Sequence, residues 1–338
     1  MAEEFSVSVV TPVYNAAQFV SRAVEAALAQ DEVAEVILVE DCSQDNSLEV
    51  CRELASKHSK VRLIQHPDKG NHGAGETRNL GIVSAKCGFI AFADADNFYL
   101  PGRFKKDKEI LLANPDVDGV YNAQGIHYHS EEARENFHRA GLGDAEFLSV
   151  SGPVPPDEFW QVMLGCHPTA RILAGLGIDA ITLRAKAVKK TGLFDPSLRL
   201  HQDVHFFVRM AVACRMASGV IDKPVAVRGV HGRMRSTDPV RMARFRCECW
   251  TCLQKWFQLQ VRDSRIRLAF EEHFFHRSLD WRPIWKSRCA FVFLVLSHPG
   301  LLTRSYGFFD LHLLQLFGRN WATLHFVSAK NRVLRRLR

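Results

Sequence analysis

Two aspartates follow one short apolar run: Phe89-Ile-Ala-Phe-Ala93 leads into Asp94-Ala95-Asp96-Asn97. Carboxylates at alternate positions of a strand end share a face. Such a pair suits a hard divalent cation, Mg²⁺ or Mn²⁺, which takes oxygen ligands and often needs few protein carboxylates beside phosphate oxygens. The plainer alternative is an Asp-rich turn that Asn97 helps to cap. Asp41 follows a second apolar run, Val36 to Val39. Its carboxylate can accept from a base N–H or from ribose hydroxyls, or it can satisfy backbone N–H groups of a turn. Gly73, Gly75 and Arg78 stand where a loop enters a helix. Glycines admit close backbone approach, and a helix start favours anions. Arg78 is a donor to a base or a phosphate, or the partner of a surface acid. His127 and His129 share a face of a strand and read as surface histidines.

These residues need a scaffold. Ser6 to Thr11 is a β-branched run ending at a proline, a buried strand and turn. Asn15 is placed to cap the helix whose apolar face is Phe19, Val20, Ala23, Val24, Ala27 and Leu28. Val36 to Val39 is the next strand. Asp45 or Asn46 caps the helix carrying Leu48, Cys51, Leu54 and Ala55. Val61 to Ile64, a helix over Gly73 to Ala85, and Phe89 to Ala93 complete the alternation. Strand and helix in turn predict an α/β fold with a mostly parallel sheet and right-handed crossovers. Ligands of such sheets bind outside the C-terminal strand ends, where Tyr14, Asp41, Asp94 and Asp96 fall.

Four motifs in order carry a family resemblance. Val9-Val-Thr-Pro-Val-Tyr-Asn15, Glu40-Asp-Cys-Ser-Gln-Asp45, Glu76-Thr-Arg-Asn79 and Ala93-Asp-Ala-Asp-Asn97 together resemble the signatures of family-two glycosyltransferases. The resemblance covers roughly residues 5 to 238. It implies a GT-A fold, Rossmann-like, with a nucleotide-binding half over about 5–120, an acceptor half over 121–238 and a helical C-terminal region over 239–338. It implies that Pro12, Tyr14 and Asp41 hold the nucleoside and that Gly75, Arg78 and Asp94 serve the nucleotide. Asp96 is then the direct metal ligand, and Asp94 reaches the ribose or a second metal position. Further on, Ile181-Thr-Leu-Arg184 and Gly192-Leu-Phe-Asp195 resemble the segment before the family's catalytic acid. His201-Gln202-Asp203 resembles its Glu-Asp motif, with Gln202 in place of Glu; Asp203 is by this resemblance the general base. Val227 to Arg233 resembles the Arg-x-His segment, which makes His231 a metal ligand or a donor to the diphosphate, with Arg233 and Arg235 adding positive charge. Glu40 and Cys42 depart from the family's usual Asp and Gly.

What the resemblance implies is transfer of a sugar from a nucleotide-sugar, a UDP-sugar, to an acceptor hydroxyl, with Mn²⁺ or Mg²⁺ and inversion. Gln202 and Cys42 leave open a catalytically weak or inactive protein that binds nucleotide or glycan. A nucleotidyltransferase fits less well, since the loop after the first strand is Pro12-Val-Tyr-Asn15 rather than Gly-rich with Lys or Arg.

Composition narrows the setting. The 338 residues are 47% hydrophobic and 24% charged, a globular balance that excludes a disordered or collagen-like chain. The longest apolar run, Cys289 to Leu296, is far short of the roughly 20 residues of a membrane span. The acidic start, Met1-Ala-Glu-Glu-Phe5, does not resemble a signal peptide. Nine irregularly spaced cysteines then read as reduced thiols, Cys247, Cys249 and Cys252 as helix packing rather than a zinc site. Charge is unevenly spread: residues 240–338 hold 18 basic and 6 acidic residues, a net of +12, and residues 1–239 a net of −5. With Trp250, Trp256, Trp281, Trp285 and Trp321 and amphipathic stretches such as Phe308 to Phe317, the basic third suits an anionic membrane surface, or is a packed helical appendage. No nucleic-acid motif is present. The expected setting is cytoplasmic, peripheral at the inner face of the plasma membrane, with a glycan or lipid-linked glycan as acceptor.

Overall fold

The structure is a computed structural model and describes residues 4–139, 146–231 and 239–278. Arg233, Arg235, Trp281, Trp285, Trp321, the stretch over 308–317 and the basic C-terminal end lie outside the described residues.

The N-terminal alternation is β1 (Val7–Val13), α1 (Val20–Leu28), β2 (Val33–Glu40), α2 (Ser47–Lys57), β3 (Val61–Gln65), α3 (Ala74–Ser84) and β4 (Phe89–Phe92). There follow β5 (Phe98–Tyr99), α4 (Lys105–Ala113), β6 (Gly119–Tyr121), β7 (Ala123–Tyr128), α5 (Glu131–Arg139), β8 (Phe147–Val150), α6 (Phe159–Met163), β9 (Ile172–Leu173) and β10 (Ile181–Arg184). The chain continues through α7 (Val188–Thr191), α8 (Gln202–Ala213), β11 (Met216–Ser218), β12 (Pro224–Val230), α9 (Pro239–Gln260) and α10 (Ser264–Ser278).

Seven strands form the main sheet in the order β11-β6-β10-β4-β1-β2-β3. β1 lies between β2 and β4, parallel to both, and β3 adds to β2 in parallel; only β10 runs against its neighbours. The expected mostly parallel α/β sheet is therefore present. Side chains of β1 divide by the two-residue period of a strand. Val7, Val9 and Val13 join α1 and α2 through Val20, Val24, Cys51 and Leu54; Val10 joins the opposite layer with Ile82, Phe206, Phe207 and Met210 of α3 and α8. Both faces are covered, which explains why the central strands read as continuous apolar runs.

A second sheet, β5-β12-β7-β8-β9, was not legible in the sequence. Two of its strands are only two residues long. Its pairing of β12 with β7 in parallel brings residues 224–230 beside the end of β4, through the short antiparallel contact of β12 with β5.

One local expectation is corrected. Asn15 does not cap α1: the helix starts after Phe19 without a side-chain cap. Asn15 instead has φ 51° and its Oδ1 accepts from the Gln44 N–H at 2.7 Å, tying the end of β1 to the loop after β2. At the start of α8, His201 holds the cap position at φ 58°, and Asp203 lies in the first turn.

Of the described residues, those up to Val261 belong to one compact unit and those from Arg262 on to a second. Helix α9 packs on α8 within the first unit, with the Cys249 thiol 3.5 Å from the His201 carbonyl oxygen. Cys249 is buried, and burial raises its thiol pKa, as expected for packing. Among the described residues no helix is long and apolar enough to cross a membrane.

Candidate active site

The C-terminal ends of β1, β2 and β4 face the start of α3 and of α8, and the chemistry gathers there. Chain reversal after β4 is tight: the Asn97 N–H donates to the Asp94 carbonyl oxygen at 2.9 Å. It leaves Asp94 and Asp96 each about one-third exposed, the side chains standing at 30% and 32%.

The two carboxylates meet different partners. Arg78, on the first turns of α3, donates through Nη2 to Asp94 Oδ1 at 2.5 Å. Asp96 Oδ2 lies 3.2 Å from Nε2 of His231, which follows β12. The His231 ring also stacks on Phe19, centroids 4.9 Å apart. β12 comes this close because residue 229 is glycine: a Cβ there would lie 2.4 Å from the Asp96 carbonyl oxygen. The Gly229 N–H is held by Asn97 Oδ1 at 3.0 Å.

Arg78 is almost wholly buried. Burial alone would lower its pKa, but Asp94, helped by Asp203 and Asp179, holds it above the ordinary arginine value. Its guanidinium lies 5.5 Å from the centre of the Phe194 ring. Among the described residues its Nε and Nη1 have no hydrogen-bond partner, and neither does the buried Oε1 of Gln202. Unmet buried polar atoms cost about 1–3 kcal/mol each, which a bound polar group would recover. Gly75, one turn before Arg78, sits against Gln202 and Phe194; a Cβ on it would lie 3.5 Å from carbons of both. So Gly75, Arg78 and Gln202 share one wall, and Asp203 stands half-buried on the adjoining first turn of α8.

Asp41 follows β2 and faces the loop that leads into α3. It is buried, and its carboxylate accepts from the N–H groups of His72 at 2.7 Å and Gly73 at 2.8 Å and from Asn71 Nδ2 at 3.0 Å. Three of its roughly four acceptor positions are thereby used within the protein. Gly73 makes this loop possible at φ 84°, and Arg199 lies over it: a Cβ on Gly73 would be 2.7 Å from the Arg199 guanidinium. Pro12 is half-buried in β1, paired with Val39, and Tyr14 is 40% exposed just beyond. The loop after β2 keeps a left-handed residue despite having no glycine. Cys42 takes φ 60° at a cost of about 1–2 kcal/mol, and Glu40 braces the loop by accepting from the Ser43 N–H at 2.6 Å.

The structure thus joins Asp94 with Arg78 and Asp96 with His231, and sets Gly75 on the same wall. Sequence reasoning did not single out Asp179, which lies beneath the turn. It is 1% exposed and accepts three N–H donors. Burial and the nearby Asp94 nevertheless push its pKa up to about 7. An acid just ahead of the apolar strand β10 was a visible signal, but its three N–H partners come from two distant segments, residues 94–97 and β7.

A divalent ion fits this donor set in one place. Asp96 and His231 supply an oxygen and a nitrogen that converge, whereas Asp94 is committed to Arg78. Among the described residues no group of three or more His, Cys, Asp or Glu side chains assembles a metal site. His127 and His129, with ring centroids 4.9 Å apart, do not form one either.

The family model for Glycosyl transferase family 2 matches residues 8–157, the stretch that contains both aspartates and the Arg78 helix. This stretch is a family-two glycosyltransferase domain. Glycosyltransferase GlyG of Streptococcus pneumoniae serotype 4 is 32% identical over 133 residues, 39% of this chain and 42% of that protein. The match therefore spans less than half the length of that relative. Crystallised S. aureus TarS 1-349 in complex with UDP-GlcNAc superposes with a TM-score of 0.58 at 16% identity, over 82% of this chain and 73% of that one. Mannosyltransferase PcManGT from Pyrobaculum calidifontis, in complex with GDP-Man and Mn²⁺, superposes at 0.50 with 15% identity, over 91% and 83%. These likenesses establish the GT-A architecture around the family-two glycosyltransferase domain.

Proposed function

We propose that the protein transfers a sugar from a nucleotide-sugar, a UDP-sugar, to an acceptor hydroxyl with inversion. The observation that carries this reading is the convergence of the Asp94–Arg78 pair, the Asp96–His231 pair and Asp203 at the C-terminal end of β4. TarS bound UDP-GlcNAc in its crystal, which supports the UDP choice by fold analogy.

Roles follow from the chemistry of each group. Asp96 and His231 would hold a divalent ion with two protein ligands, leaving the remaining positions to diphosphate oxygens and water. Bound there, Mn²⁺ or Mg²⁺ supplies charge that favours departure of the diphosphate. Arg78 keeps two nitrogens, Nε and Nη1, that have no partner among the described residues and are available to the donor. Pro12 and Tyr14 take the nucleoside, and Asp41 serves it by fixing the loop that leads into α3. Asp203 accepts the proton of the acceptor hydroxyl as that oxygen attacks the anomeric carbon. One C–O bond forms to the acceptor, and the C–O bond to the diphosphate breaks with its electron pair. Attack opposite the leaving group inverts the anomeric centre. A glycan or a lipid-linked glycan is the proposed acceptor, presented at an anionic membrane surface by the basic C-terminal region.

A screen of nucleotide-sugars for Mn²⁺-dependent release of nucleoside diphosphate, with glycan acceptors present, tests the reading. Wild-type protein should release UDP from at least one donor, and Asp96→Ala should release none while remaining folded. Unchanged release and UDP affinity in Asp96→Ala would remove the metal assignment.

A further inference from the structure

Asp179 is a buried carboxylate that, among the described residues, has no cation in hydrogen-bond contact. Such a group is costly unless its lone pairs are filled. Here they are filled by three N–H donors from two segments, the turn over residues 94–97 and β7. Oδ1 accepts from the Asp94 N–H at 2.6 Å, and Oδ2 accepts from Asn97 Nδ2 at 2.7 Å and Gln124 Nε2 at 2.6 Å. Its own carbonyl oxygen is held by Arg103 Nε at 3.0 Å, and Arg103 is in turn paired with the buried Asp107.

Every donor lies on a segment that positions the site. Asp94 and Asn97 are the two ends of the turn that displays Asp96. Asn97 passes the constraint on, because its Oδ1 accepts the Gly229 N–H of β12, two residues before His231. Gln124 belongs to β7, the parallel neighbour of β12. It reaches Asp179 across Gly177, where a Cβ would fall 1.3 Å from Gln124 Oε1. One carboxylate thus joins the end of β4 in the main sheet to two strands of the second sheet.

We propose that Asp179 is a positioning residue that sets the separation of Asp96 and His231. This rests on the reading of those two residues as the donor-side ligand pair. Asp179 touches neither of their side chains; it acts by fixing the backbone of the turn and, through Asn97, that of β12. Only an all-acceptor group serves, since each of its three partners presents N–H.

Asp179→Asn keeps the shape but turns one acceptor into a donor facing N–H groups. The reciprocal exchange, Asp179→Asn with Asn97→Asp, restores the pattern. The carboxylate introduced at position 97 would then accept from both the Gly229 N–H and the new amide, and Gln124 needs only to turn its own amide over. The crystal structure of each variant and UDP affinity in Mn²⁺ by calorimetry are the readouts. In Asp179→Asn the turn should shift and the Asp96–His231 contact open by about 1 Å, with UDP affinity and turnover falling about 10²-fold. The exchange should restore contact and affinity. An unshifted turn in Asp179→Asn would overturn the proposal, whatever the nucleotide result. If that variant fails to fold, the exchange decides: a folded exchange with the contact re-formed supports the proposal, and a folded exchange with it open refutes it. Wild-type protein that shows no Mn²⁺-dependent UDP binding would instead defeat the functional reading, and the crystallographic arm alone would still judge Asp179.

Discussion

Replacing Asp94 with alanine strips the buried Arg78 of its carboxylate partner. The Arg78 side chain is 5% exposed, and among the described residues its one side-chain hydrogen bond runs to Asp94. Removing one member of a buried ion pair typically costs about 3–5 kcal/mol, because the other charge remains buried and unpaired. Two features place the expected loss near the lower end. Asp94 is itself 30% exposed, and Asp203 and Asp179 still act on the guanidinium charge. A loss of about 3 kcal/mol corresponds to a fall of about 6–12 °C in Tm for a domain of this size. The second half of the test is Arg78→Met in the Asp94→Ala background. It removes the stranded charge and keeps an apolar stem over Phe194, so stability should return to within about 1 kcal/mol of wild type. Urea titration of the two variants and wild type, with thermal melts beside them, measures both steps. An Asp94→Ala protein as stable as wild type, or a double variant no better than the single one, would show that Arg78 is not a buried charge held by Asp94.

Two further outcomes are expected. His205 is 3% exposed, neither ring nitrogen has a partner among the described residues, and burial, with Arg209 adding to it, pushes its pKa from 6.5 to about 4. Its folded-state pKa is depressed, so the stability it permits is present above about pH 6.5 and is lost as pH falls toward 4. From neutral pH to about pH 5 the loss should be about 2 kcal/mol, and His205→Leu should lack this share in paired urea titrations; equal acid sensitivity of the two proteins would contradict it. Residues 262–338 hold 14 basic and 5 acidic residues, so full-length protein should sediment with phosphatidylserine vesicles at low salt and release at high salt, while a chain ending at Val261 should not. Equal sedimentation of both would place any membrane affinity in the first unit.

How legible the molecule was depends on the range of the interactions. The alternation from β1 to β4 shows in the sequence because each central strand is buried on both faces and each helix carries one apolar stripe. Val10 and Val9 belong to opposite layers, yet neither assignment requires knowledge of a distant partner. Asp94, Asp96 and Arg78 stood out by motif and by position at strand and helix ends. The second sheet did not, since β5 and β9 are too short to show a period and β12 is recognised only by its pairing with β7. Asp179 was missed for the same reason: its importance lies in donors at residues 94, 97 and 124. Asn15 had the right type for a cap, but the chain turns left-handed there and its side chain closes a different loop.

The central claim is that Asp203 takes the acceptor proton in a direct displacement. The most direct test is the single-turnover rate of sugar transfer by Asp203→Asn against wild type, with donor affinity measured on the same samples. Asparagine keeps the shape of the first turn of α8 but is not a base, so the rate should fall by about 10²–10⁴ while UDP-sugar affinity is retained. Transfer at close to the wild-type rate would contradict the account, and Asp203 would then be a residue of the helix start alone.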